Sequence, residues 1–261
     1  MNLEYPLIVH VPHCSVEIPR DVRAGILLSE QDLRVELIKM TDAFTDELSD
    51  IDSRFGITIK NRYSRLVVDP ERFRNDEDEI MASMGMGTVY TRTSDGRPLR
   101  NLTENEREQL LQTYFDPYHR SFEDQVERVI DRFGKCLIID FHSFPAQPLS
   151  YELNQDKNRP DFCIGTDSFH SPEKLIEFVE ECFKSVDLKV KRDTPFAGTF
   201  VPIKHYQKDK RVSSVMIEIN RSLYMDEKIG EKLPVLKFYK LRNTIQTFLL
   251  ETASFYRDNI L

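Results

Sequence analysis

Paired cysteines are missing from this chain: Cys14, Cys136, Cys163 and Cys182 stand far apart with no CxxC spacing. That excludes a zinc ribbon, offers no disulfide framework, and leaves the thiols as expected core residues. No apolar run approaches the ~20 residues that a membrane-spanning helix needs. The opening MNLEYPLIVH has no basic segment followed by a long apolar one, so a cytoplasmic protein without membrane contact is expected. Surplus positive charge is also missing. Lysine and arginine number 36 against 44 aspartate and glutamate, a net charge of −8 that gives no general hold on nucleic acid. A small anionic substrate held by a few arginines remains compatible with it. Repeats, low-complexity tracts and Gly/Ser linkers are absent too, so residues 1–261 read as one domain.

What is present alternates between strands and helices. PLIVHVPH reads as a first strand. LSEQDLRVELIKMTDAFTDELSDI reads as one helix entered at Ser29, with Leu33, Leu37, Met40, Phe44 and Leu48 at helical spacing. GITIKN and RLVVD read as two short strands. Residues 74–102 turn polar and irregular, a long insertion with a turn signal at Ser94-Asp95-Gly96 that suits a small hairpin. A helix with a capping box at Thr103 and Glu106 runs to Gly134, with a break expected at Pro117. LIIDFHSFP, DFCIGT and VSSVMIEIN supply further strands, SPEKLIEFVEECFKSV a helix, and Pro234 to about Tyr256 a final amphipathic helix. Together these predict a three-layer α/β/α architecture around a mainly buried mixed sheet.

Such sheets bind ligands beyond their strand ends, so polar residues finishing the apolar strands become the candidates. They are His13, then Asp140 and His142, then Glu218, Asn220 and Arg221. Histidines and carboxylates arriving together point to a catalytic zinc site, with three protein ligands and one position left for water. His10 and His13 are three apart, which on an extended strand puts them on opposite faces. Glu218 lies between Ile217 and Ile219, an expensive place for a carboxylate unless it is paired, for instance with Arg221, or faces a metal. His119 follows the expected helix break and either caps it or contacts substrate. His205, after PFAGTFVP, suits a mobile binding loop, and His170 a solvated helix entrance.

The ordered set VHVPHCSVEIP, TDAFTDEL, SRLVVDPERF, PYH, IIDFHSFP, PFAG and MIEINRSLYMDE resembles the N-formylglutamate amidohydrolase family, over about Leu7 to Glu227. More distantly, DFHSF followed by IEIN is similar to the zinc carboxypeptidases. The resemblance implies a phosphorylase/hydrolase-like fold and zinc-dependent cleavage of a small anionic N-acyl amino acid, N-formyl-L-glutamate giving formate and L-glutamate. It implies His13, His142 and Asp42 as metal ligands, with Asp42 on the first helix and preferred to Glu17, and Asp46 as a salt-bridging neighbour. It implies Glu218 as proton carrier with Arg65 in catalysis, and Arg72, Arg97, His119, His205 and Arg221 as substrate contacts. Two departures stand out, Cys14 after His13 and Glu71 beside Arg72; an acidic group there repels the carboxylate that Arg72 should bind. They keep two alternatives in view, another N-acyl amino acid or peptide on the same zinc site, and a binding module without turnover.

Overall fold

The computed structural model describes residues 3–260. Its centre is a six-stranded sheet in the order β2-β1-β3-β6-β4-β5. The strands are β1 (Leu7–Val11), β2 (Ile57–Lys60), β3 (Cys136–Phe144), β4 (Phe162–Gly165), β5 (Val190–Arg192) and β6 (Val212–Asn220). β4 runs antiparallel to β6 and the other pairings are parallel, so the sheet is mixed as expected. Both long strands, β3 and β6, are buried along their whole length.

The two-residue period of a strand sorts these residues onto two faces. Leu7, Val9, Leu137, Ile139, Phe141, Val215, Ile217 and Ile219 join one apolar cluster with α6 (Glu173–Lys184) and α7 (Val235–Asn259). Ile8, Cys136, Ile138 and Val212 join another with α5 (Asp116–Phe133). The three layers follow. On the α5 side the same period places His10 opposite Asp140, and His142 opposite Glu218. Asp140, His142 and Glu218 therefore lie within their strands, not past the ends.

Three expected elements come out differently. The first long helix divides into α2 (Glu30–Met40) and α3 (Thr45–Leu48), with α1 (Arg20–Ala24) before them. Between the two, Thr41 is extended and Phe44 left-handed (φ 66°). The break persists because the Asp42 N–H donates to the His13 carbonyl at 2.9 Å and the Thr45 hydroxyl donates to the Asp42 carbonyl at 2.6 Å. RLVVD is no strand: the Val67 N–H donates back to the Ser64 carbonyl at 2.8 Å, and Leu66 and Val68 fill satellite cores instead. Pro117 does not end its helix. A π-helical turn at Leu111–Phe115 links α4 (Glu104–Leu110) to α5, absorbing the lost N–H and letting the chain continue. The capping box at Thr103 and Glu106 forms as expected, and the residues around Ser94-Asp95-Gly96 make a tight turn closed by an Arg92–Pro98 bridge. Apart from a 3-10 turn at Ile80–Met84, residues 74–102 are irregular. Among the described residues no helix is long and apolar enough to cross a membrane.

Candidate active site

β1 stops at Val11 because Pro12 has no N–H for the ladder, and the chain swings His13 over the sheet. His13 is thereby released from strand geometry, while His10 stays within β1 opposite Asp140. Both reach Glu71, at 3.6 and 3.9 Å, which corrects their expected separation onto opposite faces. His142 comes from β3, and Asp42 comes from the gap between α2 and α3, not from a helix as expected.

The two imidazoles meet Nδ1 to Nδ1 at 3.3 Å. Asp42 Oδ2 lies 3.2 Å from Nδ1 of His142 and 3.6 Å from Nδ1 of His13. Each ring is oriented from behind: Nε2 of His13 donates to Asp69 at 2.8 Å, and Nε2 of His142 donates to Asp140 at 2.9 Å. With the ring protons held there, the Nδ1 lone pairs and the Asp42 oxygen face one another. Donors converging this way repel unless a cation lies between them. Ligands about 2.0–2.2 Å from a tetrahedral zinc would be about 3.3–3.6 Å apart, and these spacings match. Glu71 also fits as a donor, since it forms a group with His13 and His142 whose atoms all lie within 4.8 Å. Its shortest contact, 3.0 Å, is to Nε2 of His142, the nitrogen turned away from Asp42, so Asp42 is the better-aimed third donor.

Electrostatics favour positive charge at this point. Burial alone would lower the pKa of His142, but the carboxylates of Glu71 and Asp140 outweigh it and raise it well above the usual imidazole value. Burial pulls the Asp42 carboxyl up, yet its contacts with His13 and His142 and the charge of Arg221 hold it well below the usual range. Asp140 accepts from His10 and His142, both at 2.9 Å, and from the Phe200 N–H at 2.8 Å. His10 is held at its other nitrogen by the Tyr118 hydroxyl, 2.6 Å away. Asp69, fully buried, accepts from His13, Arg65 and Tyr90. Glu218 is the exception: its Oε2 is buried with no hydrogen-bond partner, and burial pushes its pKa up to about 8. A buried carboxylate oxygen without a partner beside the donor cluster marks a place where something else is meant to sit.

The site opens into a cleft of ≈ 670 Å³ lined by His13, Asp42, Glu71, His142 and Glu218 among others. A family model for N-formylglutamate amidohydrolase matches residues 5–225. The chain belongs to that family. It is 27% identical over 230 residues to an N-formylglutamate deformylase of Pseudomonas aeruginosa, covering 85% of this chain and 83% of the relative. A deformylase of the same description from Pseudomonas putida is 25% identical, covering 85% and 82%. The fold is similar to the crystal structure of N-formylglutamate amidohydrolase from Ralstonia eutropha JMP134, with a TM-score of 0.85, 24% identity and coverage of 99% of this chain and 96% of that one.

Not every residue suggested by the family pattern reaches the cleft. Arg97 is exposed and bound to Asp95 and Asp32, so it anchors its own turn to α2. His205 is buried, pairs with Asp209 and Glu127, and is not among the residues lining the cleft. His170 is no solvated entrance; it is buried, donates to the Val212 carbonyl at 2.7 Å and accepts from the Gln207 N–H at 2.7 Å. Arg221 lines the cleft, but its guanidinium is occupied by Asp42 at 2.9 Å, the Lys39 carbonyl at 2.7 Å and the Ser143 hydroxyl at 3.1 Å. It positions Asp42. Glu17 is on the surface with Arg62, and Asp46 pairs with Lys60 at 3.5 Å. His119 lines the cleft, donates to the Pro70 carbonyl at 2.9 Å, and is kept neutral because burial lowers its pKa to about 4. Arg65 lines the cleft while holding Asp69. Arg72 has a buried Nε without a partner, and its ion pairs to Asp69 and Glu79 are long, at 3.6 and 3.8 Å.

In the sequence Asp140 is one strand-end candidate among several, Asp69 and Tyr118 have no marked role, and Glu71 stands only as a repulsive neighbour of Arg72. Asp140 was within reach: two residues before His142 on a strand, it must share that face. Asp69 and Tyr118 carried no such signal.

Proposed function

We propose that this protein is a zinc-dependent amidohydrolase that cleaves the N-acyl amide of a small N-acyl amino acid, with N-formyl-L-glutamate hydrolysed to formate and L-glutamate. The observation that carries the reading is the convergence of His13 Nδ1, His142 Nδ1 and Asp42 Oδ2, 3.2–3.6 Å apart, with both imidazoles oriented by carboxylates. Family membership supports the reaction class. The named substrate of the Pseudomonas relatives supports the choice of N-formylglutamate.

His13, His142 and Asp42 would hold the metal, with Arg221 fixing Asp42. When bound, zinc supplies Lewis acidity for the amide carbonyl and brings the pKa of water towards neutrality. Glu218 takes the proton of the attacking water at its unpartnered carboxylate oxygen, and a pKa near neutrality suits both taking and returning it. Water oxygen bonds to the acyl carbon, the C–N bond breaks, and Glu218 returns the proton to the leaving nitrogen. Arg65 and Arg72, among the cationic groups lining the cleft, balance the developing oxyanion and the substrate carboxylate. His119, neutral and fixed to Pro70, supports the turn that carries Glu71 and Arg72 and forms part of the substrate wall.

The test is to quantify bound metal in the purified protein and follow formate release from N-formyl-L-glutamate before chelation, after it, and after zinc is returned. One equivalent of metal, with activity lost and regained, is expected. Turnover that survives complete metal removal would overturn the metal assignment.

A further inference from the structure

N-formylglutamate carries two carboxylates at different distances from its scissile amide, and the cleft has to hold both. The α-carboxylate is attached to the carbon that bears the amide nitrogen, so it must lie beside the metal donors. There Arg65 and Arg72 line the cleft next to Asp69, the carboxylate that orients His13. The second carboxylate ends the side chain. It needs donors of its own, set back from the metal.

Two polar groups that line the cleft on its α2 side are available. Lys39, half-buried in the last turn of α2, makes no ion pair or hydrogen bond through its ammonium among the described residues. Glu36 and Asp95 feel its charge, but Glu36 is bound to the Ser94 N–H and hydroxyl, and Asp95 to Thr93 and Arg97. Tyr151 packs its ring against the satellite cluster that includes Met40 and Leu66, while its hydroxyl has no hydrogen-bond partner among the described residues. Their charged neighbours are already committed: Arg221 holds Asp42, and Glu152 is paired with Arg159, both side chains buried.

The fold brings Lys39 and Tyr151 together through the long insertion. Glu36, one turn before Lys39, accepts from the Ser94 hydroxyl at 2.9 Å, and the Ser94 carbonyl accepts from the hydroxyl of Ser150, next to Tyr151, at 2.9 Å. The carbonyl of Lys39 accepts from Arg221 at 2.7 Å. Burial raises the Tyr151 phenol, and the charges of Arg65 and Arg221 oppose the rise, so both arginines lie near it. Lys39 and Tyr151 thus flank the Arg221 that fixes Asp42.

We infer that Lys39 and Tyr151 bind the side-chain carboxylate of the substrate, the ammonium by charge and the phenol by donating a hydrogen bond, and so select a glutamyl over an uncharged side chain. This rests on the amidohydrolase reading and assigns the recognition of the second carboxylate.

The experiment compares kcat/KM of the zinc-loaded enzyme for N-formylglutamate and for N-formylnorvaline, which keeps the α-carboxylate and the side-chain length but ends in a methyl group. The native chain should prefer N-formylglutamate, and Lys39→Met and Tyr151→Phe should each lower that preference by about tenfold, the lower end of what a hydrogen bond to a charged group contributes. The loss should appear in KM with kcat kept, because the contact is the same in ground and transition states. Lys39→Arg should retain most of the preference. A preference unmoved in both variants, or lowered through kcat alone, would overturn the inference. Hydrolysis of neither substrate by the native chain would count against the amidohydrolase reading instead. Calorimetric titration of zinc-loaded Glu218→Gln with N-formylglutamate, with and without Lys39→Met, tests the contact without turnover: about tenfold weaker binding in the double variant supports the inference and equal binding overturns it.

Discussion

The two faces of β3 and β6 are made by neighbouring residues and do opposite work. Leu137, Ile139, Phe141, Val215, Ile217 and Ile219 close an apolar core with α6 and α7, and their burial stabilises the fold. One residue away on the same strands, Asp140, His142 and Glu218 are buried as deeply among charges. Burial of that kind costs stability unless every group is paired, and Glu218 Oε2 is not. One face of the strand therefore supports the strain of the other, a division expected wherever a rigid scaffold holds reactive groups in place.

That contrast is broken most strongly from the polar side. Glu218→Gln keeps the shape of the side chain and removes its proton transfer, so kcat should fall by about 10²–10⁴-fold, with bound zinc retained in a metal assay. On the apolar face, Phe183 stacks on Phe162 at 4.1 Å and contacts Phe248 at 4.5 Å. Phe183→Ala should cost about 3–5 kcal/mol in denaturant unfolding while leaving kcat/KM of the folded fraction unchanged. A loss of specific activity in that fraction would show that the faces are not separable. Asp140→Asn disturbs the support of His142 and should weaken zinc binding by about 10–100-fold in a chelator competition.

The pH dependence of metal-free protein sharpens the comparison with a smaller effect. Glu218 has a folded pKa of about 8 against an ordinary 4.5, so folding favours its protonated form. Its contribution is fully present below the unfolded value and is lost as pH rises towards about 8; the raised pKa of His142 acts in the same direction, from about 6.5 upward. Thermal melts in chelator should show Glu218→Gln gaining on the native chain between those limits. Parallel curves would contradict the burial argument. The smallest change is expected at Arg97→Ala, outside the cleft, where kcat/KM should stay as it is and stability should shift by no more than about 0.5 kcal/mol.

Legibility in the sequence followed the range of the interactions. The buried strands, the capping box at Thr103 and Glu106, and the inward side of Glu218 between Ile217 and Ile219 are written in local spacing, so they could be read directly. The expected continuous helix through Asp42 failed because its break depends on the carbonyl of His13, far away in the chain. The burial of His170 and His205 is hidden from local pattern for the same reason, since their partners include the Val212 carbonyl and Glu127 on other elements. Glu71 looked like a fault beside Arg72, and only folding puts it against His142.

By itself the sequence determined a mixed α/β sheet, the faces of its strands, and an ordered set of motifs that mark the family, because periodicity and burial act within a few residues. Tertiary structure decided which carboxylate orients which imidazole, that Arg221 serves Asp42, and that Arg97 and His205 stay out of the cleft. Those outcomes rest on hydrogen bonds and charges between segments far apart in the chain, whose meeting no local pattern encodes.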